Sequence, residues 1–174
     1  LVASEGQMVS PEPALDWPDW VTQTVHLPRP LEAADFAIPA PKGRDTVQAA
    51  VLRPFHWADE FLTEELAVAG RQVQRDPARA ITKFAVIDRH NGTGAVGRMF
   101  WRGTGPATPG VGLACSVAHD QHNLWAVGSC DAAMALAANT VAGMQGGWAL
   151  VRDGVVLATV RLEVAGLMSA RRAG

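Results

Sequence analysis

The sequence predicts an α+β fold, a hairpin-rich mixed sheet with at least one packed helix, and three observations carry that expectation. Apolar or alternating runs of strand length recur from Thr46 to Leu162, separated by polar turns. The pairs Asn91-Gly92 and Asp153-Gly154 stand between such runs, and both tolerate the positive φ angles of tight hairpins. One alanine-rich stretch, opening near Ser129 and closing at Gly146-Gly147, has helical length and a glycine stop. With 174 residues, 48% hydrophobic and 18% charged, the chain can bury one core and is too short for a closed (β/α)8 barrel.

Taken in order, residues 1–9 read as the end of a strand pair turning at Glu5-Gly6, with no partner strand nearby in sequence. Residues 10–42 are punctuated by Pro11, Pro13, Pro18, Pro28, Pro30, Pro39 and Pro41, a composition that disfavours helix and central strand. They read as a linker or surface-hugging segment anchored by Trp17, Trp20 and Phe36, since exposed aromatics are costly. Residues 46–53 alternate like a strand. Residues 57–68 fit a short helix or a loop entering a hairpin, with Ala69-Gly70 as its turn.

From Ile81 the pattern sharpens. Residues 81–88 form a strand, Asn91-Gly92-Thr93-Gly94 a turn, and residues 95–101 the returning strand. Residues 111–118 are an apolar strand, the polar break His119–Asn123 interrupts it, and residues 124–128 resume. Ser129 or Asp131 then caps a helix on which Ala132, Ala135, Leu136, Asn139, Thr140 and Met144 fall on adjacent turns. Residues 148–152 and 155–162 close the chain as a hairpin.

Fifteen basic and seventeen acidic residues leave a formal charge of −2, which offers no global attraction for nucleic acid or an anionic membrane. The apolar runs are too short to span a bilayer, and no basic-then-apolar start marks a signal peptide. Cys115 and Cys130 fit neither a metal spacing nor a secreted disulfide framework, so free thiols and a cytoplasmic setting are expected. A chain that opens at Leu1 without Met is read as processed or as a piece of something longer.

The densest polar cluster is Ser116, His119, Asp120, His122 and Asn123, where one strand ends and the next begins. Histidine can act there as base or ligand, Asp as its orienter and Asn as a two-sided hydrogen-bonding group. A turn in which Asp120 and Asn123 satisfy backbone groups explains the same residues, and both readings stay open. His119 and His122 supply only part of a metal shell, so no metal site is expected from this chain alone. A second cluster, Asp88 to Gly94, joins Arg89 and His90 to a turn whose amides can receive an oxyanion or simply close a hairpin. Cys115 with His119 reads as a buried structural thiol rather than a nucleophile. Trp57, Trp101, Trp125 and Trp148 are scattered and read as core or interface packing, not as a stacking platform for single strands.

Three segments, ITKFAVIDRHNGTG, SVAHDQHNLWAVG and VAGLMS, in this order and spacing closely resemble the C-terminal domain of bacterial and archaeal adenine deaminases of the amidohydrolase superfamily. The likeness runs from about Trp20 to Ser169 and includes Asp131, Met134, Asn139 and Gly146-Gly147. It implies that residues 43–174 are that α+β domain, truncated at its end, and that residues 1–9 are the last strands of a preceding small β-domain. It also implies an enzyme that converts adenine and water to hypoxanthine and ammonia, with a divalent metal, manganese or iron, held by a barrel encoded before Leu1. Asn91 stands where the family commonly has a second histidine after His90, and Gln121 where Ser usually separates Asp120 from His122. The chain also stops at Gly174, soon after its VAGLMS segment.

On that resemblance His119, Asp120, His122 and Asn123 are expected to serve catalysis, and Arg89, His90 and Ser116 to bind the purine, at the mouth of the barrel. The partners it implies are adenine, the chain's own N-terminal barrel and further copies in a homo-oligomer, with no nucleic acid and no membrane. The fragment alone is expected to be inactive. The rival expectation is a non-catalytic domain that caps the barrel or forms a subunit interface.

Overall fold

Alternation in the sequence becomes pairing in the sheet. The computed structural model describes residues 3–5, 7–8, 16–54, 59–103, 105–106 and 108–170. A short antiparallel pair, β1 (Ala3–Ser4) and β2 (Gln7–Met8), turns at Glu5, whose φ is 51°. Nine further strands make one mixed sheet: β3 (Thr46–Arg53), β4 (Glu60–Ala69), β5 (Gln72–Val73), β6 (Ile81–Ile87), β7 (Val96–Arg102), β8 (Val111–Cys115), β9 (Leu124–Gly128), β10 (Gly147–Arg152) and β11 (Val155–Arg161). Their order is β11-β10-β8-β9-β6-β7-β3-β4-β5. Neighbours run antiparallel except β3 and β7, which pair in parallel through Val51↔Phe100 and Leu52↔Trp101. The open expectation for residues 57–68 resolves as a strand from Glu60, while Trp57 lies outside the described residues. Asp153 and Gly154 take φ of 48° and 78°, the left-handed pair that joins β10 to β11.

One sheet face carries the core. Helix α2 (Asp131–Gly143) lies on it, and Ala133, Met134, Ala137, Ala138 and Val141 bury against Ala114, Ala126, Ala149 and Val151. Small residues bring the layers together: a Cβ on Gly112 would strike the backbone of Ala133. A second cluster, Val51, Leu66, Val73, Ile81 and Phe100, holds the β3–β5 end. Neither Ser129 nor Asp131 caps α2, whose N-cap is Cys130 without a side-chain bond. Ser129 Oγ is instead engaged by the Val111 amide at 3.1 Å, and Asp131 sits one residue too late, in the first turn of the helix. There its carboxylate, a charge favoured at a helix N-terminus, pairs with Lys83 Nζ at 2.8 Å and with the Arg75 guanidinium.

The proline-rich segment is held across this helix. Short helix α1 (Asp19–Thr22) buries Val21, and a 3-10 turn, Ala33–Phe36, buries Phe36 in the core. Asn139 on α2 grips both backbone groups of Leu31, at 2.8 and 2.9 Å, and Gln145 Oε1 accepts from the Val25 amide at 2.9 Å. Buried Lys83, its ammonium disfavoured by desolvation, donates to the Phe36 carbonyl at 3.0 Å. Phe36 is thus an anchor, whereas Trp17 and Trp20 are exposed, Trp20 by 78%. The reason is helical phase: α1 turns Val21 inward, which leaves the adjacent Trp20 on the outer side.

Candidate functional site

The segments ITKFAVIDRHNGTG, SVAHDQHNLWAVG and VAGLMS meet through buried side chains. Arg89 follows β6 and is only 1% exposed. Its Nε donates to the His122 carbonyl at 2.6 Å, Nη1 to Thr24 Oγ1 at 2.8 Å and to the Thr24 carbonyl at 3.2 Å, and Nη2 to the Ala165 carbonyl at 3.1 Å. Burial disfavours its charge, and these acceptors offset that cost. Ser116, also buried, donates from Oγ to the Gly166 carbonyl at 2.5 Å and accepts from the Gly147 amide at 2.7 Å. Gly166 has φ of +70°, and a Cβ there would strike Arg89 Nη1. A residue after β6, one after β8 and the 165–166 turn therefore form one hydrogen-bonded knot.

The turn after β6 is built around Asp88. Its Oδ1 accepts from the His90 amide at 3.0 Å and the Asn91 amide at 3.2 Å, and Oδ2 from Thr93 Oγ1 at 2.7 Å. The Thr93 hydroxyl foremost, together with the Asn91 and His90 amides, holds this carboxyl down at about 2. Two amides that the sequence offers to an oxyanion are thus occupied by the chain's own carboxylate. His90 Nε2 lies 2.9 Å from the His122 carbonyl, beside the Arg89 contact. The Arg89 amide and Asn123 Oδ1 are 3.5 Å apart. Arg89, His90, His122 and Asn123 are therefore brought together, largely through main-chain atoms.

Residues 117–122 form a tethered loop. At its start Trp125 Nε1 donates to the Val117 carbonyl at 2.8 Å, and the Val117 amide meets Cys115 Sγ at 3.0 Å. Within it the His122 amide donates to the Ala118 carbonyl at 2.7 Å, and His122 itself takes φ of 51°. Between these ties His119 and Asp120 extend into solvent, their side chains 93% and 86% exposed, with Nε2 and Oδ1 3.4 Å apart. Of the expected site residues, Arg89 and Ser116 are buried and shape the loop, Asn123 is half-buried, and His90, His119, Asp120 and His122 are exposed, His119 and Asp120 at the tip that the loop presents.

Beneath that pair lies a groove of about 410 Å³ on the sheet face opposite α2. His119, Asp120 and Gln121 form its polar rim, and Phe84, Trp101, Leu113, Trp125 and Val127 contribute apolar walls. The Phe84 ring stands 4.2 Å from that of Trp101 and 5.8 Å from that of Trp125, centroid to centroid, and Trp125 meets Trp148 edge-on at 5.4 Å. Trp101 Nε1 is buried without a hydrogen-bond partner. Three of the tryptophans that look scattered in sequence, Trp101, Trp125 and Trp148, thus belong to a single aromatic cluster around Phe84. Their strand parity carried the signal, since Phe84, Trp101 and Trp125 occupy same-face positions of three neighbouring strands, but strand order is needed to read it.

Among the described residues no group of three or more His, Cys, Asp and Glu side chains is placed to hold an ion. These side chains do not supply the ligand set of a manganese or iron centre. Cys115 and Cys130 are free thiols, and burial pushes the Cys115 thiol up to about 11. No helix among the described residues is long and apolar enough to cross a membrane.

Comparison with known proteins adds a family. The family model described as adenine deaminase C-terminal domain matches residues 58–174. The chain is 60% identical over 171 residues to "Adenine deaminase 2" of Jannaschia sp. (strain CCS1), covering 98% of this chain and 27% of that protein. "Adenine deaminase 1" of Bradyrhizobium sp. (strain ORS 278) is 63% identical over 161 residues, 92% of this chain and 26% of its own length. The adenine deaminase of Moorella thermoacetica is 43% identical over 173 residues, 98% of this chain and 29% of its own. The chain therefore spans less than a third of the length of these relatives.

Proposed function

We infer a function from one premise, that the chain belongs to the adenine deaminase C-terminal domain family. On this reading it is the C-terminal part of an enzyme of the amidohydrolase superfamily that hydrolyses adenine to hypoxanthine and ammonia, and it lines the mouth of the active site. One observation carries the second half: a loop tied at both ends holds His119 and Asp120 free above an aromatic groove. His119, oriented by Asp120, contacts the purine and moves a proton at its edge, and exposed His122 stands beside them. Arg89, His90, Ser116 and Asn123 act on the purine through the loop, as positioning groups. The manganese or iron ion and the barrel that holds it belong on this reading to the rest of the protein, so the 174-residue chain alone releases no ammonia. Free Cys115 and Cys130 support a cytoplasmic setting.

The test is kinetic. In the full-length protein, His119→Ala is expected to lower kcat/KM for adenine about a hundredfold, the usual scale of a lost general acid or base. Wild-type kinetics in both His119→Ala and His122→Ala would overturn the assignment and favour the structural alternative. That alternative draws on β11, where Val155, Val156, Leu157 and Val160 are exposed on an edge strand and suit a subunit contact within a homo-oligomer.

A further inference from the structure

We propose that a basic hollow at the β5 end of the sheet is a binding site for a small, multiply charged phosphate-bearing anion, recognised through its phosphates alone. The hollow, about 460 Å³, lies between the loop entering β3 and the turn that joins β4 to β5, and Lys42, Arg44 and Arg71 line it. None of these residues enters the proposed adenine chemistry, so the two readings stand or fall separately.

Most described cations are spent on the chain itself. Arg29, Arg79 and Arg102 pair with carboxylates, and Arg89 and Arg98 donate to carbonyls. Among the described lysines and arginines, only Lys42, Arg44, Arg71 and Arg161 have neither an ion pair nor a side-chain hydrogen bond, and three of these four line the hollow. A single lining carboxylate, Asp45, stands against them, so the hollow is positive in a chain whose formal charge is −2. Like charges gathered on two adjoining loops repel one another, and a bound anion relieves that repulsion.

The walls are fixed by the fold. The Ala40 amide donates to the Arg71 carbonyl at 3.0 Å and the Val68 amide to the Asp45 carbonyl at 2.8 Å, which ties the loop to the turn on both sides of the hollow. Within the turn, Gly70 and Arg71 take φ of 57° and 64°. Glycine or asparagine suits the second of these positions better than arginine, so the chain keeps a guanidinium at the hollow's edge on a less favourable backbone. Two guanidinium forks and an ammonium match phosphate oxygens. Among the described lining residues there is no aromatic ring, so nothing in the hollow stacks a base. Its volume lies within the range of small-molecule sites and leaves space for linked phosphates.

Calorimetric titration of the 174-residue chain at low salt tests the site. Pyrophosphate is expected to bind saturably at one site, with adenosine and guanosine triphosphates within about threefold of each other, because the phosphates alone are held. Sulfate and orthophosphate should bind roughly tenfold more weakly, having fewer oxygens for the same donors. Arg44→Gln combined with Arg71→Gln should weaken pyrophosphate about tenfold or more, the scale of one lost charge-assisted bond, with the unfolding midpoint kept because neither side chain is bonded in the free chain. Asp45→Asn should tighten binding. Arg161→Gln removes the same charge from β11, at the opposite edge of the sheet, and should leave affinity unchanged. Absence of saturable binding, sulfate held as tightly as pyrophosphate (an adventitious ion only), a loss in Arg161→Gln equal to that of the double variant, or a strong preference between the two triphosphates would each overturn the site.

Discussion

Arg89 and His119 both come from polar stretches beside β-turns, yet Arg89 is 1% exposed and the His119 side chain 93%. Arg89 engages the carbonyls of Thr24, His122 and Ala165, while the polar partner that His119 has among the described residues is Asp120, at 3.4 Å. The contrast shows that a dense polar motif can be two devices at once. Some of its residues bind distant segments of the chain to each other, and the others are what those segments hold out to solvent. Removing the first kind should cost stability; removing the second should cost only what the loop does.

The largest break in that comparison is Arg89→Met. It leaves the carbonyls that Arg89 served without a donor in a buried site, and charge-assisted bonds of this kind contribute roughly 1.5–3 kcal/mol each. A loss on the order of 3 kcal/mol or more is expected in urea unfolding. A near-wild-type midpoint would show that the knot does not hold the fold.

Ser116→Ala is the next step down. It strands the Gly147 amide and the Gly166 carbonyl, for a loss of about 1–3 kcal/mol by the same measurement. Ser116→Thr, which keeps the hydroxyl, tests whether volume or hydrogen bonding is at stake there.

Cys115, buried beside the loop, sharpens the comparison through pH. Its thiol is raised to about 11 by burial, above the ordinary 9.0. The unfolded chain therefore ionises first, so this group's contribution is whole below pH 9 and is lost as pH climbs toward 11. Iodoacetamide at about pH 8, below both values, should label Cys130 well before Cys115 in the folded protein, as read by mass spectrometry of the peptides. Equal rates would place Cys115 outside the core.

At the exposed end, His119→Ala should leave the unfolding midpoint unchanged, since the side chain makes one solvent-facing contact. The hundredfold kinetic loss proposed for the full-length protein would then have no stability component. A lowered midpoint in this variant would erase the division between shaping and presenting residues.

Much of this architecture was legible from residue pattern. The β10–β11 hairpin follows from Asp153-Gly154 between apolar runs; the β6–β7 hairpin forms as expected, but through the longer loop 88–95, and α2 follows from its alanine-rich length, with Gln145 rather than a glycine taking the left-handed turn after it. Residues 57–68 were ambiguous because acidic residues mask the alternation of what is β4. Cap residues were misplaced because Ser129 and Asp131 both suit an N-cap by type, and only their distant partners, Val111 and Lys83, decide how each is used. Trp20 looked like an anchor by its chemistry, but the phase of a single helical turn assigns burial to Val21.

By itself the sequence determined the class of fold, the hairpin turns, the helix and the polar motifs, because each depends on neighbours within a few residues and on a period of 2 or 3.6. Tertiary structure alone decided which polar groups are buried and which aromatics share a face. Arg89 reaches Thr24 and Ala165, 65 and 76 residues away, and Phe84, Trp101 and Trp125 become one wall only when β9, β6 and β7 take adjacent places. Strand order and register are long-range properties, set by the burial of a whole face at once, and no local window of residues contains them.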